Sequence, residues 1–560
     1  MPFAFCESCP YSVCILKKSK EQMAKQSTPL QKGSACTNCR RRKIKCDGER
    51  PRCGPCLNSS SAFSDCEYND NNGITHVQVL EDQISVLEAR LKDLESGGAT
   101  QGMRKTKQVD SILMPKAKLL KNGSNEPLPE SGFEDLPPII RRILVHNFIM
   151  NCCWVGFFLH RDRFINTVLH FKGEAPTFAL LNTTYVWGNH LSSSQNSLEQ
   201  EATLVSRALQ SSAHSLSESH PQKVTQFIQA EVLLGNYFYL AGKTVEGKYH
   251  VTAAASLVLS AGLHKLRSSD VGNFGYLAQP LDTLAPPRDP IEEGELINAF
   301  WTVLTLDSFW NTVHGTPSSI PYTSPSVRID TPWPLIMEEY AENPLDHNFR
   351  NSHTIDNFLG GMPDNADSPR AAFSKAAILF ERATFTGRQL KNDPNSPKSQ
   401  KDFSVLDTLI PRFIGSLLPI DRVNVPPLNY QLIINTLASA ADIQLHLPFA
   451  SDKISSRVRI LNAAKAILDL IDTWGHLPEM EFLDPMIAII WTLTAQVFID
   501  ESVRLQYEDP FTNLPFTRPQ VLAFSKRVMN VMDSHPFPLM ILQVAQVRRA
   551  LEKATAGSGL

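Results

Sequence analysis

Apolar positions downstream of Ile139 recur at helical rather than strand spacing. Between Lys223 and Leu240 they fall at Val224, Phe227, Ile228, Val232, Leu233, Leu234 and Phe238, one helix face, before Gly242 interrupts the pattern. A second helix is predicted from about Val245 to Ala261, ending at Gly262, where a left-handed cap belongs. A third opens on Asp289 and Pro290 as cap and first-turn residues. It places Glu292, Glu293 and Glu295 near its positive dipole end and runs to His314 before Gly315. Further helices are expected around Ala371 to Gln389, Asn429 to Gln444, Lys453 to Trp474, Asp484 to Arg504 and Pro519 to Met532. No strand-type alternation of useful length competes, so the fold class is mostly all-α, with 139–560 one large helical domain. Phe300, Trp301, Phe309 and Trp310 read first as helix core, and second as the lining of a ligand pocket.

A different period precedes this body. Val77, Leu80, Ile84, Leu87, Leu91 and Leu94 are spaced alternately by three and four, an a/d heptad seam over 77–96. β-Branched residues at a (Val77, Ile84) with Leu at d favour a parallel dimer, and Arg90 at g faces Glu95 at the following e. Gly97 and Gly98 stop it. Residues 67–76, with Asn69-Asp70-Asn71-Asn72-Gly73, read as a short linker spanning at most about 33 Å. Residues 97–138, rich in Lys, Gly, Ser and Pro, read as a longer one, and 1–35 as a disordered basic leader.

Composition changes the picture in one respect. With 560 residues, 42% hydrophobic and 20% charged, the chain can bury a large core. Its net charge of −3 argues against a polyanion partner until it is localised: Lys17 to Cys56 holds twelve basic and three acidic residues, a local +9, so the remainder carries −12. That division marks a polyanion-binding module. No uninterrupted apolar run reaches the ~18 residues of a membrane span, and Met1 to Leu16, broken by Glu7 and Pro10, does not read as a secretory signal.

The basic segment contains Cys36, Cys39, Cys46, Cys53, Cys56 and Cys66, two CxxC-plus-one halves end to end. Six single-ligand sulfurs cannot build two separate four-ligand sites, whereas two bridging thiolates let two zinc ions both be tetrahedral. Ile44, Leu57 and Phe63 are nearly the only large apolar residues inside, so metal must supply the folding free energy, on the order of 10 to 16 kcal/mol for structural zinc. The rival, three disulfides, needs an oxidising compartment. Cys6, Cys9 and Cys14 lack a complete shell, and Cys152 and Cys153 read as small buried hydrophobes.

The block CTNCRRRKIKCDGERPRCGPCLNSSSAFSDC resembles the fungal Zn2Cys6 binuclear-cluster transcription factors through its CxxCRxxKxKC half and the proline, Pro51, before the fourth cysteine. Its last gap, nine residues, is longer than the family's usual one. The resemblance implies two zinc ions, with Cys36 and Cys53 bridging, Cys39 and Cys46 completing one site and Cys56 and Cys66 the other. It places base contacts to CGG-like triplets at Arg42 and Lys43, which suits guanine's two major-groove acceptors. Arg40, Arg41, Lys45 and Arg52 are assigned to phosphates. GKTVEGKYHVTAAASLVLSAGLHK (242–265) and EEGELINAFWTVLTLDSFWNTVHGTPSSIP (292–321) are similar to blocks of the family's regulatory middle homology region, with Thr316 in place of an arginine.

No P-loop, G-x-S-x-G, HExxH or dinucleotide fingerprint points to an enzyme. His160, His264 and His314 read as helix caps or partners of backbone groups. The expected function is a nuclear, zinc-dependent, sequence-specific DNA-binding regulator of RNA polymerase II transcription, acting as a homodimer on paired CGG-type half-sites in double-stranded DNA, with the transcription machinery or coregulators as partners and no membrane. The alternative is a helical scaffold or corepressor whose zinc module serves protein contact.

Overall fold

The computed structural model describes residues 35–36, 39, 43–46, 53–57, 136–192, 198–269, 284–324, 327–364, 366–417, 425–474, 483–507 and 514–556. The chain divides into two units, 1–128 and 129–560.

Local chemistry sets the helix starts of the larger unit. Asp289 Oδ1 accepts the Glu292 N–H at 2.9 Å, Ser368 Oγ that of Ala371 at 3.0 Å, and Ser396 Oγ that of Ser399 at 3.3 Å. In each case proline follows at the first helical position, where its missing N–H costs nothing. The helices, in chain order, are α1 (Pro138–Asn151), α2 (Arg161–His170), α3 (Phe178–His190), α4 (Leu198–His214), α5 (Lys223–Leu240) and α6 (Thr244–Ser260). There follow α7 (Pro290–His314), α8 (Met337–Glu342), α9 (Thr354–Leu359), α10 (Pro369–Asn392), α11 (Pro397–Ser416) and α12 (Val425–His446). The last are α13 (Ile454–Trp474), α14 (Pro485–Tyr507), α15 (Arg518–Asp533) and α16 (Pro538–Ala556). Among the described residues β-structure is limited to one isolated bridge, Ser268 with Asn351.

Sequence neighbours pack as hairpins: α3 on α4, α5 on α6, α12 on α13, α14 on α15. Longer-range pairs join them, α1 on α3, α7 on α10 and α10 on α12, and α14 and α16 return to touch α5. The helices predicted at 223–240, 245–261 and 290–314 are present with boundaries within a residue or two, and Gly262 and Gly315 take the left-handed conformation expected of them. Two of the close approaches that need glycine are of helix backbone to helix backbone. A Cβ on Gly188 of α3 would stand 2.0 Å from the Leu144 carbonyl oxygen of α1, and one on Gly387 of α10 2.6 Å from that of Leu445 on α12.

Phe300, Trp301, Phe309 and Trp310 are fully buried, as core residues of α7. Tyr239 of α5 stacks on Trp310 with centroids 3.7 Å apart. α14 alone among the described helices is long and apolar enough to cross a membrane by length and composition, but most of it is buried inside this unit. Its Glu501 is matched by Arg457 of α13 at 2.6 Å, with both side chains inside.

Two expectations need correction. Cys152 is buried but Cys153 is exposed, because α1 ends at Asn151 and the following 3-10 turn directs only Cys152 and Val155 inward. His160 does cap α2, its Nδ1 accepting the Arg163 N–H at 3.3 Å. The buried Nδ1 of His264 and Nε2 of His314 instead have no hydrogen-bond partner, and burial lowers both imidazole pKa values. A neutral ring packed on aromatics, as His314 is on Tyr239, tolerates this better than a charged one.

Candidate metal centre and nucleic-acid interface

Within the N-terminal unit the cysteines converge. The sulfurs of Cys36, Cys39, Cys53 and Cys56 all lie within 4.8 Å of one another. Cys36 Sγ stands 3.7 Å from those of Cys53 and Cys56, and Cys39 Sγ 3.5 Å from Cys53 and 3.7 Å from Cys56. Four sulfurs around zinc at ~2.3 Å define a tetrahedron with edges of about 3.8 Å, so these separations fit that metal. Both CxxC segments are wound for the purpose. The Cys39 N–H donates to Cys36 Sγ at 3.3 Å, and the Cys56 N–H to the Cys53 carbonyl at 3.0 Å as the helical turn Gly54–Leu57 begins.

Cys46 is buried in the same small cluster, which is built of cysteines with Ala35 packed against them. Cys66 lies outside the described residues. Burial, with neighbouring thiols adding to it at Cys39, raises the thiol pKa values of Cys36 and Cys39. A divalent cation reverses that preference by binding the thiolates and displacing their protons. The cysteines therefore fit zinc both in spacing and in chemistry, and none of the seven described ones is in a disulfide.

Beyond Cys39 the backbone turns sharply. Lys43 has φ 51°, in the left-handed region, and the Ile44 N–H donates to the Cys39 carbonyl at 3.1 Å. A left-handed residue followed by a six-to-one bond is the closure of a Schellman motif, and it leaves Lys43 at the turn. Lys43 and Lys45 are exposed, as is Ile44 between them, while Cys46 returns to the interior. Arg40, Arg41, Arg42 and Arg52 lie outside the described residues, as does the whole seam Val77, Leu80, Ile84, Leu87, Leu91 and Leu94.

The model of the fungal Zn(2)-Cys(6) binuclear cluster domain matches residues 34–73, and that of the fungal specific transcription factor domain matches 145–442, more than half of the chain. The chain belongs to the fungal Zn2Cys6 transcription factor family. Its cofactor is accordingly two zinc ions, and the expectation of a regulator rather than an enzyme agrees with the family. Among similar proteins, transcription factor FBD3 of Gibberella moniliformis is 43% identical over 63 residues, 11% of this chain and 8% of that protein. The citrinin biosynthesis transcriptional activator mrl3 of Monascus ruber is 39% identical over 64 residues, 10% and 12% of the two chains. The tropolone cluster transcription factor tropK of Talaromyces stipitatus is 30% identical over 83 residues, 14% and 15%. The chain thus spans only a small part of the curated relatives it matches. No solved structure matches it.

The 145–442 match covers α2 to α11 entire, including both blocks read from the sequence. In the second block Asp307 gathers the turn after α7, and Thr316, standing where the family has arginine, accepts from Lys248 Nζ at 2.7 Å. Nothing in the residue pattern signals the left-handed backbone at Lys43, since a lysine in that conformation has no residue signature.

Proposed function

We propose that this chain is a nuclear, sequence-specific DNA-binding regulator of RNA polymerase II transcription that binds paired CGG-type half-sites as a homodimer. The observation that carries the reading is the exposed Lys43–Lys45 segment beside a four-sulfur cluster of which Cys36, Cys39 and Cys53 are buried. A peptide without an apolar core acquires one rigid surface there, and that surface is cationic. In this reading all six cysteines would hold two zinc ions, which would supply fixed geometry rather than chemistry. Lys43 and Arg42 donate to guanine O6 and N7. Lys45, Arg40, Arg41 and Arg52 neutralise phosphates, adding affinity and salt dependence without sequence preference. The heptad seam from Val77 to Leu94 pairs two copies, so that each presents one cluster to one half-site.

Selection of bound duplexes from a random pool by the full, zinc-loaded chain tests this. Enrichment of two CGG-type triplets at a fixed separation is expected. Equal binding to CGG-containing and scrambled duplexes would overturn it in favour of a scaffold whose zinc module contacts protein.

A further inference from the structure

The helical body contains a cleft of about 860 Å³, the open space at its mouth included, and apolar side chains make up most of its lining, as in small-molecule sites. Its walls are helices α7, α10, α12 and α14 with the turn after α1. One side is aromatic: Trp154 lies 5.6 Å from Tyr430, and Tyr430 6.3 Å from Phe373, centroid to centroid, with Trp301 on the α7 side. Such a surface offers ring faces and edges to a flat conjugated molecule.

Two polar groups on the same lining lack the partners their chemistry asks for. Arg370 donates one N–H to the Phe157 carbonyl at 3.2 Å and has no ion-pair partner among the described residues. A guanidinium carries five N–H donors, and one set in a mostly apolar cleft attracts an anionic oxygen. Asn298 is 1% exposed, and its Nδ2 has no hydrogen-bond partner. An orphaned amide donor at a cavity wall costs free energy that an acceptor in the cavity would recover. The remaining charged lining residue, Asp484, has one oxygen occupied by the Met486 N–H at 2.9 Å, and burial pushes its carboxyl up to about 6, which weakens its opposition to an anion.

We propose that this cleft is a binding site for a conjugated aromatic acid, whose ring system lies among Trp154, Trp301, Phe373 and Tyr430 and whose carboxylate or enolate is held by Arg370 with Asn298 as second donor. Thr305 Oγ1 bonds Ser374 Oγ at 3.0 Å across the lining, so a bound ring would brace α7 against α10.

Isothermal titration of the full chain, without DNA, against 2-naphthoate and 2-naphthylmethylammonium tests the site independently of DNA recognition. The carboxylate is expected to bind and the ammonium at least about tenfold more weakly. Arg370→Met should weaken the carboxylate by about tenfold or more, and Arg370→Lys by less, since it keeps the charge but loses the fork. Thr302→Trp, which fills the cleft from α7, should abolish binding. If the methionine variant does not reach the wild-type circular dichroism spectrum, the lysine and tryptophan variants decide. Absence of naphthoate binding at millimolar concentration, equal binding of the ammonium, or undiminished binding to the folded variants would each overturn the proposal.

Discussion

The carboxylate of Asp307, wholly buried on α7, accepts the backbone N–H of Ile320, thirteen residues downstream, at 3.1 Å. The same oxygen accepts from the Ser319 N–H at 2.8 Å and from Ser318 Oγ at 2.6 Å, while Asn311 Nδ2 holds the other oxygen at 2.6 Å. One side chain thus folds the segment after Gly315 back along its own helix. Asp307→Ala would remove the shared acceptor of these donors and should cost about 3 kcal/mol, read as a lower urea midpoint at unchanged slope. A loss under ~1 kcal/mol would show that the turn holds without its anchor.

Close helix packing gives a second expectation. Gly188→Ala drives a methyl group into the Leu144 carbonyl, so α3 and α1 must separate. A loss of about 2 to 4 kcal/mol is expected, and thermal melting checks it. Gly415→Ala, on α11, meets nothing within 4 Å and is the control.

The two charged residues beside the cluster should separate by assay. Lys43→Ala should reduce discrimination between CGG and scrambled duplexes, by about 1 to 3 kcal/mol if the contact is bidentate in effect. Lys45→Ala should weaken both duplexes alike and lower the slope of log affinity against log salt by about 1. Identical phenotypes would refute the division of labour.

Metal removal should be as selective. Chelation of zinc is expected to abolish duplex binding while the far-ultraviolet signal of α1 to α16 persists, because their core is packed apolar side chains rather than clustered cysteines. Elemental analysis before chelation should give two zinc ions per chain.

Glu295 provides a pH signature. Burial pushes its carboxyl up to about 7, the His160 N–H at 2.9 Å offsetting only part of the effect. A carboxyl raised on folding favours the folded state fully below its unfolded value near 4.5, and that stability is lost as pH rises toward 7. Glu381, also pushed up to about 7 by burial, acts in the same direction. Between pH 4.5 and 7 Glu295 alone should therefore subtract up to about 3 kcal/mol from stability, against the opposite trend of buried histidines such as His264 and His314, and Glu295→Gln should remove that loss. An unchanged profile in the variant would assign the effect elsewhere.

What the residues disclosed beforehand follows from how locally each signal is encoded. Asp289-Pro290 and Gly315 bracket α7 because caps act through adjacent backbone groups, and the cysteine spacing foretold the sulfur cluster because ligand count is arithmetic. α3 was not individually legible: it is buried on nearly every side, so its polar residues Thr183 and Thr184 turn inward to bond the Ala179 and Leu180 carbonyls and no apolar stripe shows. α11 was hidden by Pro411, which reads as a break but lies inside the helix. The cleft was harder still. Arg370, Asn298 and Tyr430 come from three separate helices, and only tertiary packing brings them to one cavity.

The left-handed backbone at Lys43 bears on how such a regulator can diverge. Branched side chains are strongly disfavoured in that conformation, and glycine and asparagine, which enter it readily, lack the length and charge of lysine. On the proposed homodimeric reading, a lineage that needs a new target sequence is thereby steered away from altering this position, and toward changing the separation of the two half-sites.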